Sequence, residues 1–359
     1  MLDDYFDSFA VRDWEEPTDA EPIRFAMVGL GWWTREQAIP AVEDADYAVT
    51  SALVTSSPEK AADLADEVDT VEATLTYEEF LNGEATDAYD AVYICTPNAV
   101  HREQAVAAAE HGKPVLCEKP LAADVEDAEA IVDAFEEADV PLMTAYRVQT
   151  GSTARRARDL VRGGAIGDVV AVNGHMSDTM VEFTDPDSWR LNPDLSGGTT
   201  INDIGVYPLN TMRFVLDTDP RAVQATATST GGFFEGVDEH AAFHVEFSDS
   251  LLAACTVSHS ATGASSLRFV GTEGELTLEG VFFPDTDTVL RLTRDGVTGE
   301  FRPETANQMR EEFDYFANHL QRGEPVEPDG EDGLVDMHVV EALYVSAETG
   351  ERVAVEMDI

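Results

Sequence analysis

Three short stretches carry residue types that could do chemistry. The first is VGLGWWT, residues 28–34. Gly29 and Gly31 stand two apart after an apolar run, as in the first two places of G-x-G-x-x-G, and Thr34 takes the third. The first glycine permits a tight turn, and the second lets backbone approach a pyrophosphate. The following helix offers its N-terminus to the anion. The third place mainly serves close packing of helix on strand, so a small threonine weakens the match without removing it. Leu30 lies within the turn, and Trp32 and Trp33 either cover a bound cofactor or pack against neighbours. The second stretch is TSSPEK, residues 55–60. Sites for NAD usually end this strand in a carboxylate that binds the ribose 2′-hydroxyl. Here stand Thr55, Ser56 and Ser57, a helix start, and then Lys60. Hydroxyls and an ammonium suit a 2′-phosphate, so the cofactor reads as NADP rather than NAD. The third stretch is CEKP, residues 117–120. The chain contains only three lysines, Lys60, Lys113 and Lys119. A solvated lysine is replaceable by arginine, but a compact ammonium at a strand end is not, because guanidinium is larger and planar. Lys113 opens a GKP strand and carries no assigned chemistry.

The elements that would position these residues alternate. Strands are expected at 23–31, 47–55, 89–97, 113–120 and 141–147. Helices are expected to about Asp44, from Ser57-Pro58, up to Gly112, and from about Asp124 to Ala138. Strand–helix alternation with short connections predicts an α/β Rossmann domain, a doubly wound parallel sheet. After about residue 148 the rhythm changes. A helix near 151–162 leads into strand-like runs of period two, most of them between about 221 and 302. Helices at about 307–320 and 331–349 finish the chain. This predicts an α+β C-terminal domain with a large, open, mainly antiparallel sheet. The expected division is an acidic extension over 1–21, a dinucleotide domain over 22–148, and a substrate and oligomerisation domain over 149–359. The C-terminal helix is expected to pack back on the first domain.

Composition narrows the class. The 359 residues hold 22 Lys and Arg against 71 Asp and Glu, a net charge of −49. The acids are spread over predicted helix faces, and the apolar periodicity argues against disorder. Such a chain repels itself in dilute buffer; in molar salt the Debye length falls to about 3 Å. A salt-adapted cytoplasmic protein is the expectation. Nucleic acid is excluded as a partner by like charge. No apolar run is long enough to span a bilayer, and the acidic N-terminus lacks the basic start of a secretory signal. Cys95, Cys117 and Cys255 cannot all pair and show no metal spacing, and neither do His175, His240, His244 and His259. No metal is expected.

Several motifs occur in one order: VGLG; VYICTPNAVHREQAVAAAEHGKPVLCEKPLA over 92–122; AYR over 145–147; WR at 189–190; and GGTTINDIGVYPLN over 197–210. Together they resemble the glucose-fructose oxidoreductase / inositol dehydrogenase (Gfo/Idh/MocA) family from about residue 23 to 350. The family's common second-domain motif is Asp-x-x-x-His; here it is Asp203 and Tyr207. Tyrosine resembles the subgroup of glucose-fructose oxidoreductase, dihydrodiol dehydrogenases and NADP-dependent D-xylose 1-dehydrogenases. It departs from inositol dehydrogenase chemistry. The resemblance implies that Thr96, Pro97, Asn98 and His101 lie beside the cofactor's ribose and phosphates. It puts Glu118 and Lys119 at the nicotinamide, with the bond before Pro120 cis. Trp189 and Arg190 fall near the nicotinamide half, and Arg147 is implied as a further cofactor-binding residue.

The implied reaction is oxidation of C1 of an aldopentose (D-xylose) to the lactone, with hydride passing to NADP. A hydroxyl proton must then leave. Tyr207 is the candidate base, since a neighbouring ammonium favours phenolate. Lys119 is that ammonium. Asp203, one helical turn before Tyr207, would hold Lys119 or a sugar hydroxyl. The alternatives are another aldose dehydrogenase, a glucose-fructose oxidoreductase, a dihydrodiol dehydrogenase, and a regulator that binds NADP without catalysis. Only about twenty residues precede the first strand, too few for the enclosing arm of a cofactor-retaining oxidoreductase. An open sheet face needs covering, so a homo-oligomer, dimer or tetramer, is expected.

Overall fold

A computed structural model describes residue 5 and residues 10–248, 250–284, 286–303 and 306–357. Of the acidic extension, therefore, only Tyr5 and residues 10–21 are described. The chain divides into two compact units. One comprises Trp14–Arg147 and Asn307–Leu334; the other comprises Met1–Asp13, Val148–Ala306 and Val335–Ile359.

The first unit carries six strands: β1 (Ile23–Val28), β2 (Ala48–Val54), β3 (Ala73–Leu75), β4 (Ala91–Ile94), β5 (Val115–Glu118) and β6 (Leu142–Ala145). They lie in the order β3-β2-β1-β4-β5-β6 and every pair is parallel. β1 and β4 are buried at almost every position, as a sheet covered on both faces requires. Strand order reverses between β1 and β4, which opens a crevice at their carboxyl ends where ligands of such folds bind. β3 has only three residues, too few to show a period, and was not anticipated.

Two segments differ from the expected division. The helix Gln308–Arg322 was expected in the second domain. It belongs to the first because its residues complete that core. Phe313 packs edge-on to Phe25 and Tyr93, with centroids 5.2 and 5.0 Å apart, and each such pair contributes about 0.5–1.5 kcal/mol beyond area burial. The buried Asp314 carboxylate accepts the backbone N–H groups of Asp46 and Tyr47 at 2.8 and 2.9 Å. The stretch 14–21 is likewise no appendage. Trp14 is buried in the same core with its ring edge-on to Tyr315, and Asn318 Nδ2 donates to the Glu16 carbonyl at 2.9 Å.

The second unit carries β7 (Val169–Thr179), β8 (Ala222–Thr228), β9 (His240–Ser248), β10 (Leu251–Ser258), β11 (Ser260–Gly271), β12 (Gly274–Glu279), β13 (Val289–Arg294), β14 (Val297–Phe301) and β15 (Val353–Ala354). Their order is β14-β13-β12-β11-β7-β10-β9-β8-β15. β7 and β10 run parallel and the other pairs are antiparallel. The period-two alternation divides the faces. Val172, Phe243, Val245 and Val257 are buried, while Asn173, Ala242, His244 and Leu252 on the opposite face are exposed.

Candidate active site

The nucleotide end of the first unit is built on the turn after β1. Gly29 has φ +92°, and a Cβ there would meet the Cys95 carbonyl oxygen at 2.3 Å and Thr96 Cγ2 at 2.6 Å. Only glycine fits both the backbone and the space. Around Gly31 a Cβ would meet no atom within 4 Å, so bare backbone faces open space. A pyrophosphate needs such unobstructed backbone. Thr34 is buried, and its Oγ1 donates to the Gly29 carbonyl at 2.6 Å, tying the turn at the place where the fingerprint has a third glycine. The helix begins as a π-turn, Thr34–Ala38. Leu30 is buried. The two tryptophans separate: Trp32 is 61% exposed, and Trp33 packs on the core beneath the Arg147 guanidinium, 5.8 Å from its ring.

At the end of β2, Thr55 is buried, Ser56 and Lys60 are exposed, and Ser57 is half-buried. Ser57 caps the helix Pro58–Ala65, its Oγ accepting from Lys60 N at 3.3 Å. The serine hydroxyls and Lys60 thus stand at a helix start, a place that favours an anion.

His101 is buried between two carbonyls. Its Nε2 lies 3.1 Å from the Thr96 oxygen and its Nδ1 3.1 Å from the Leu121 oxygen. Burial pulls its imidazole below the ordinary value. In these contacts His101 joins the loop after β4 to the turn after β5. Thr96 Oγ1 donates to Gln104 Oε1 at 2.7 Å, and Pro97 and the buried Asn98 open the short helix leading to His101. The Lys119–Pro120 peptide is cis. Glu118, at the end of β5, accepts from Tyr93 Oη at 2.7 Å. Burial raises its carboxyl, against the opposing pull of Lys119, the Tyr93 bond and Arg147. Arg147 is buried, with Nη1 donating to Gln308 Oε1. Lys113 takes a plain role: Nζ donates to the Tyr89 carbonyl at 2.8 Å and lies over the Tyr89 ring.

The second unit holds Asp203 and Tyr207. Sequence spacing places them on one α-helical face. The structure instead gives a π-turn, Ile201–Gly205, before the α-helix Val206–Leu216. Such turns widen a helix and recur at functional sites. Asp238 fixes the start of this segment, its carboxylate accepting from Thr199 N at 2.9 Å, Ile201 N at 2.8 Å and Tyr344 Oη at 3.1 Å. Gly198, at φ +126°, is required because a Cβ would sit 2.2 Å from Tyr344 Oη. Tyr207 is buried with its ring 5.9 Å from Phe282. The Asp203 carboxylate is partly exposed, with Arg190 Nε 3.8 Å and His259 Nε2 3.6 Å from Oδ2. Arg190 also lies over the Trp189 ring at 4.7 Å.

Sequence reasoning missed Glu312, Asp178 and His259. Glu312 is fully buried and neither carboxyl oxygen has a hydrogen-bond partner among the described residues. Burial, then the Glu118 charge, push it well above its ordinary value. These residues lie outside every motif. Among the described residues, no group of three His, Cys, Asp or Glu side chains is placed to hold a metal. No helix among them is long and apolar enough to cross a membrane.

Comparison with known proteins agrees with this geometry. Residues 23–146 match the oxidoreductase family with an NAD-binding Rossmann fold, and residues 154–277 match the GFO/IDH/MocA C-terminal domain. The chain is 47% identical to a D-xylose 1-dehydrogenase [NADP(+)] of Haloarcula marismortui, over 97% of this chain and 98% of that one. It is 33% identical to D-xylose 1-dehydrogenase (NADP(+)) 2 of Haloferax volcanii, over 94% and 100%. The crystal structure of an aldose-aldose oxidoreductase from Caulobacter crescentus, complexed with glycerol, superposes with TM-score 0.87 at 30% identity, covering 93% of this chain and all of that one. The ordered glycine turn, the cis Lys119–Pro120 strand end, the two-sheet architecture and these near full-length similarities establish that the chain belongs to the Gfo/Idh/MocA oxidoreductase family.

Proposed function

We propose that this chain oxidises C1 of an aldopentose, D-xylose, to the lactone with NADP as acceptor. The observation that carries the reading is the 47% identity, over nearly the whole of both chains, to a D-xylose 1-dehydrogenase that uses NADP. The open space beside Gly31, the hydroxyls of Ser56 and Ser57 and the nearby Lys60 suit a phosphorylated dinucleotide. When bound, NADP supplies the hydride acceptor. The chain's own residues bind and orient the sugar and move a proton. Lys119 presents an ammonium to the C1 hydroxyl, and Tyr207 serves as the base that takes its proton. Asp203 accepts a sugar hydroxyl. Glu118, held by the Tyr93 hydroxyl, fixes the strand end on which Lys119 sits. Trp189 and Arg190, on the short turn Trp189–Leu191, would approach the nicotinamide half of the cofactor.

The same reading includes a salt-adapted cytoplasmic protein, supported by the −49 charge and by two similar dehydrogenases from Haloarcula and Haloferax. It includes a homo-oligomer formed through the exposed sheet face that carries Ala242 and Leu252.

The test is Lys119→Ala and Tyr207→Phe, assayed for NADPH formation with D-xylose and for NADP binding. Each change is expected to reduce kcat by ~10²–10⁴-fold while NADP still binds. Activity within a few-fold of wild type in either would remove that residue from the mechanism.

A further inference from the structure

Asp203 is backed by a buried histidine that none of the motifs contains. His259 has no exposed surface. It stands at the junction of β10 and β11, where its N–H donates to the Glu239 carbonyl at 3.0 Å and its carbonyl accepts from Met180 N at 2.9 Å. Its backbone is therefore fixed on both sides. The imidazole is fixed as well, because Nδ1 lies 2.6 Å from Asp178 Oδ1 on β7. A carboxylate at that distance accepts the Nδ1 proton. Nε2 is then aimed along the remaining direction, toward Asp203 Oδ2 at 3.6 Å. At that distance it makes no hydrogen bond, and Nε2 has no other hydrogen-bond partner among the described residues. Arg190 Nε approaches the same Asp203 oxygen from the Trp189–Leu191 turn at 3.8 Å.

A buried, unpartnered imidazole nitrogen is costly unless something uses it. Its neighbours leave few alternatives. Asp178 is engaged at the opposite nitrogen, and Glu239 accepts from Thr230 N and Oγ1 at 2.7 Å each. Contacts at sites of this kind are often long without substrate and tighten in the complex. A closure of a few tenths of an ångström brings Nε2 into hydrogen-bond range of Asp203.

We infer that His259, anchored by Asp178, is a positioning residue for Asp203: its Nε2 locks the carboxylate in the orientation that receives the sugar. The inference rests on the reading that Asp203 binds the sugar. Asp178 and His259 touch neither sugar nor cofactor and act through Asp203.

Asparagine and glutamine separate the two nitrogens of the ring. Asparagine places an amide near Nδ1, toward Asp178, and glutamine places one near Nε2, toward Asp203. The experiment compares His259→Asn, His259→Gln and Asp203→Asn in the full chain at constant molar KCl. The measurements are steady-state kinetics with D-xylose, NADP affinity by fluorescence, and melting temperature. His259→Asn is expected to lower kcat/KM for the sugar by ~10- to 100-fold, with NADP affinity unchanged. His259→Gln is expected to recover most of that loss. Equal losses in both variants, or wild-type kinetics in His259→Asn, would overturn the inference. Asp203→Asn keeps the two failures apart. If it is impaired while His259→Asn is not, only the positioning role falls. If Asp203→Asn is itself unimpaired, the parent reading of Asp203 falls.

Discussion

The two glycines of the first turn should fail in different ways when each is replaced by alanine. At Gly29 the added Cβ would lie 2.3 Å from the Cys95 carbonyl oxygen and 2.6 Å from Thr96 Cγ2, and φ is +92°. A positive φ costs an L-residue roughly 1–2 kcal/mol. Overpacking against backbone adds about 1–3 kcal/mol, because a carbonyl cannot rotate away as a side chain can. The sum, about 2–5 kcal/mol, lowers Tm by roughly 5–15 °C for a cooperative unit of the nucleotide unit's size. At Gly31 the Cβ meets nothing within 4 Å. Stability should therefore hold within ~0.5 kcal/mol. The methyl group would, however, stand in the open space proposed for the pyrophosphate. Gly31→Ala is expected to weaken NADP by at least about tenfold, or ~1.4 kcal/mol. Calorimetry and a fluorescence titration of NADP on both variants read the difference. An unchanged Tm in Gly29→Ala, or wild-type NADP affinity in Gly31→Ala, would refute the reasoning about this turn.

Three further outcomes are expected. Lys60→Ala should weaken NADP by about tenfold and leave NAD nearly unchanged, since only the former offers a charge-assisted bond; equal losses in the two titrations would separate Lys60 from the 2′-phosphate. Glu312 titrates above its ordinary value in the folded chain, so the native state binds more protons than the unfolded state. Its contribution to stability therefore falls as pH rises from the unfolded value, about 4.3, toward the folded one. Glu312→Gln removes that loss, and its Tm relative to wild type should climb as pH increases above ~4.3; a pH-independent difference would contradict a protonated Glu312. Finally, a net charge of −49 should make the melt strongly salt-dependent. Equal Tm at ~0.1 M and molar KCl would end the reading of salt adaptation.

Much of the fold was legible because burial leaves a period in the sequence. β4 is a continuous apolar run, and β1 and β5 are nearly so, since both faces of their sheet are covered, while β9 and β10 alternate since one face of theirs is open. The glycine turn was legible because backbone strain restricts the choice of residue at Gly29. The allegiance of the helix Gln308–Arg322 was not, because an amphipathic stripe does not state which core it enters. Phe313 and Asp314 answer that only in three dimensions. The π-turn before Tyr207 was hidden for a similar reason: Asp238, far along the chain, holds its first amides. Motif residues stood out by order and rarity. Asp178, His259 and Glu312 had neither, and their chemistry comes from enclosure alone.

The central claim is tested most directly by initial rates with D-xylose and other aldopentoses and aldohexoses, each with NADP and with NAD, in molar KCl. NADPH is expected to form with D-xylose, with higher kcat/KM for NADP than for NAD and for the pentose than for a hexose. Binding of NADP with no NADPH formed from any aldose would contradict it.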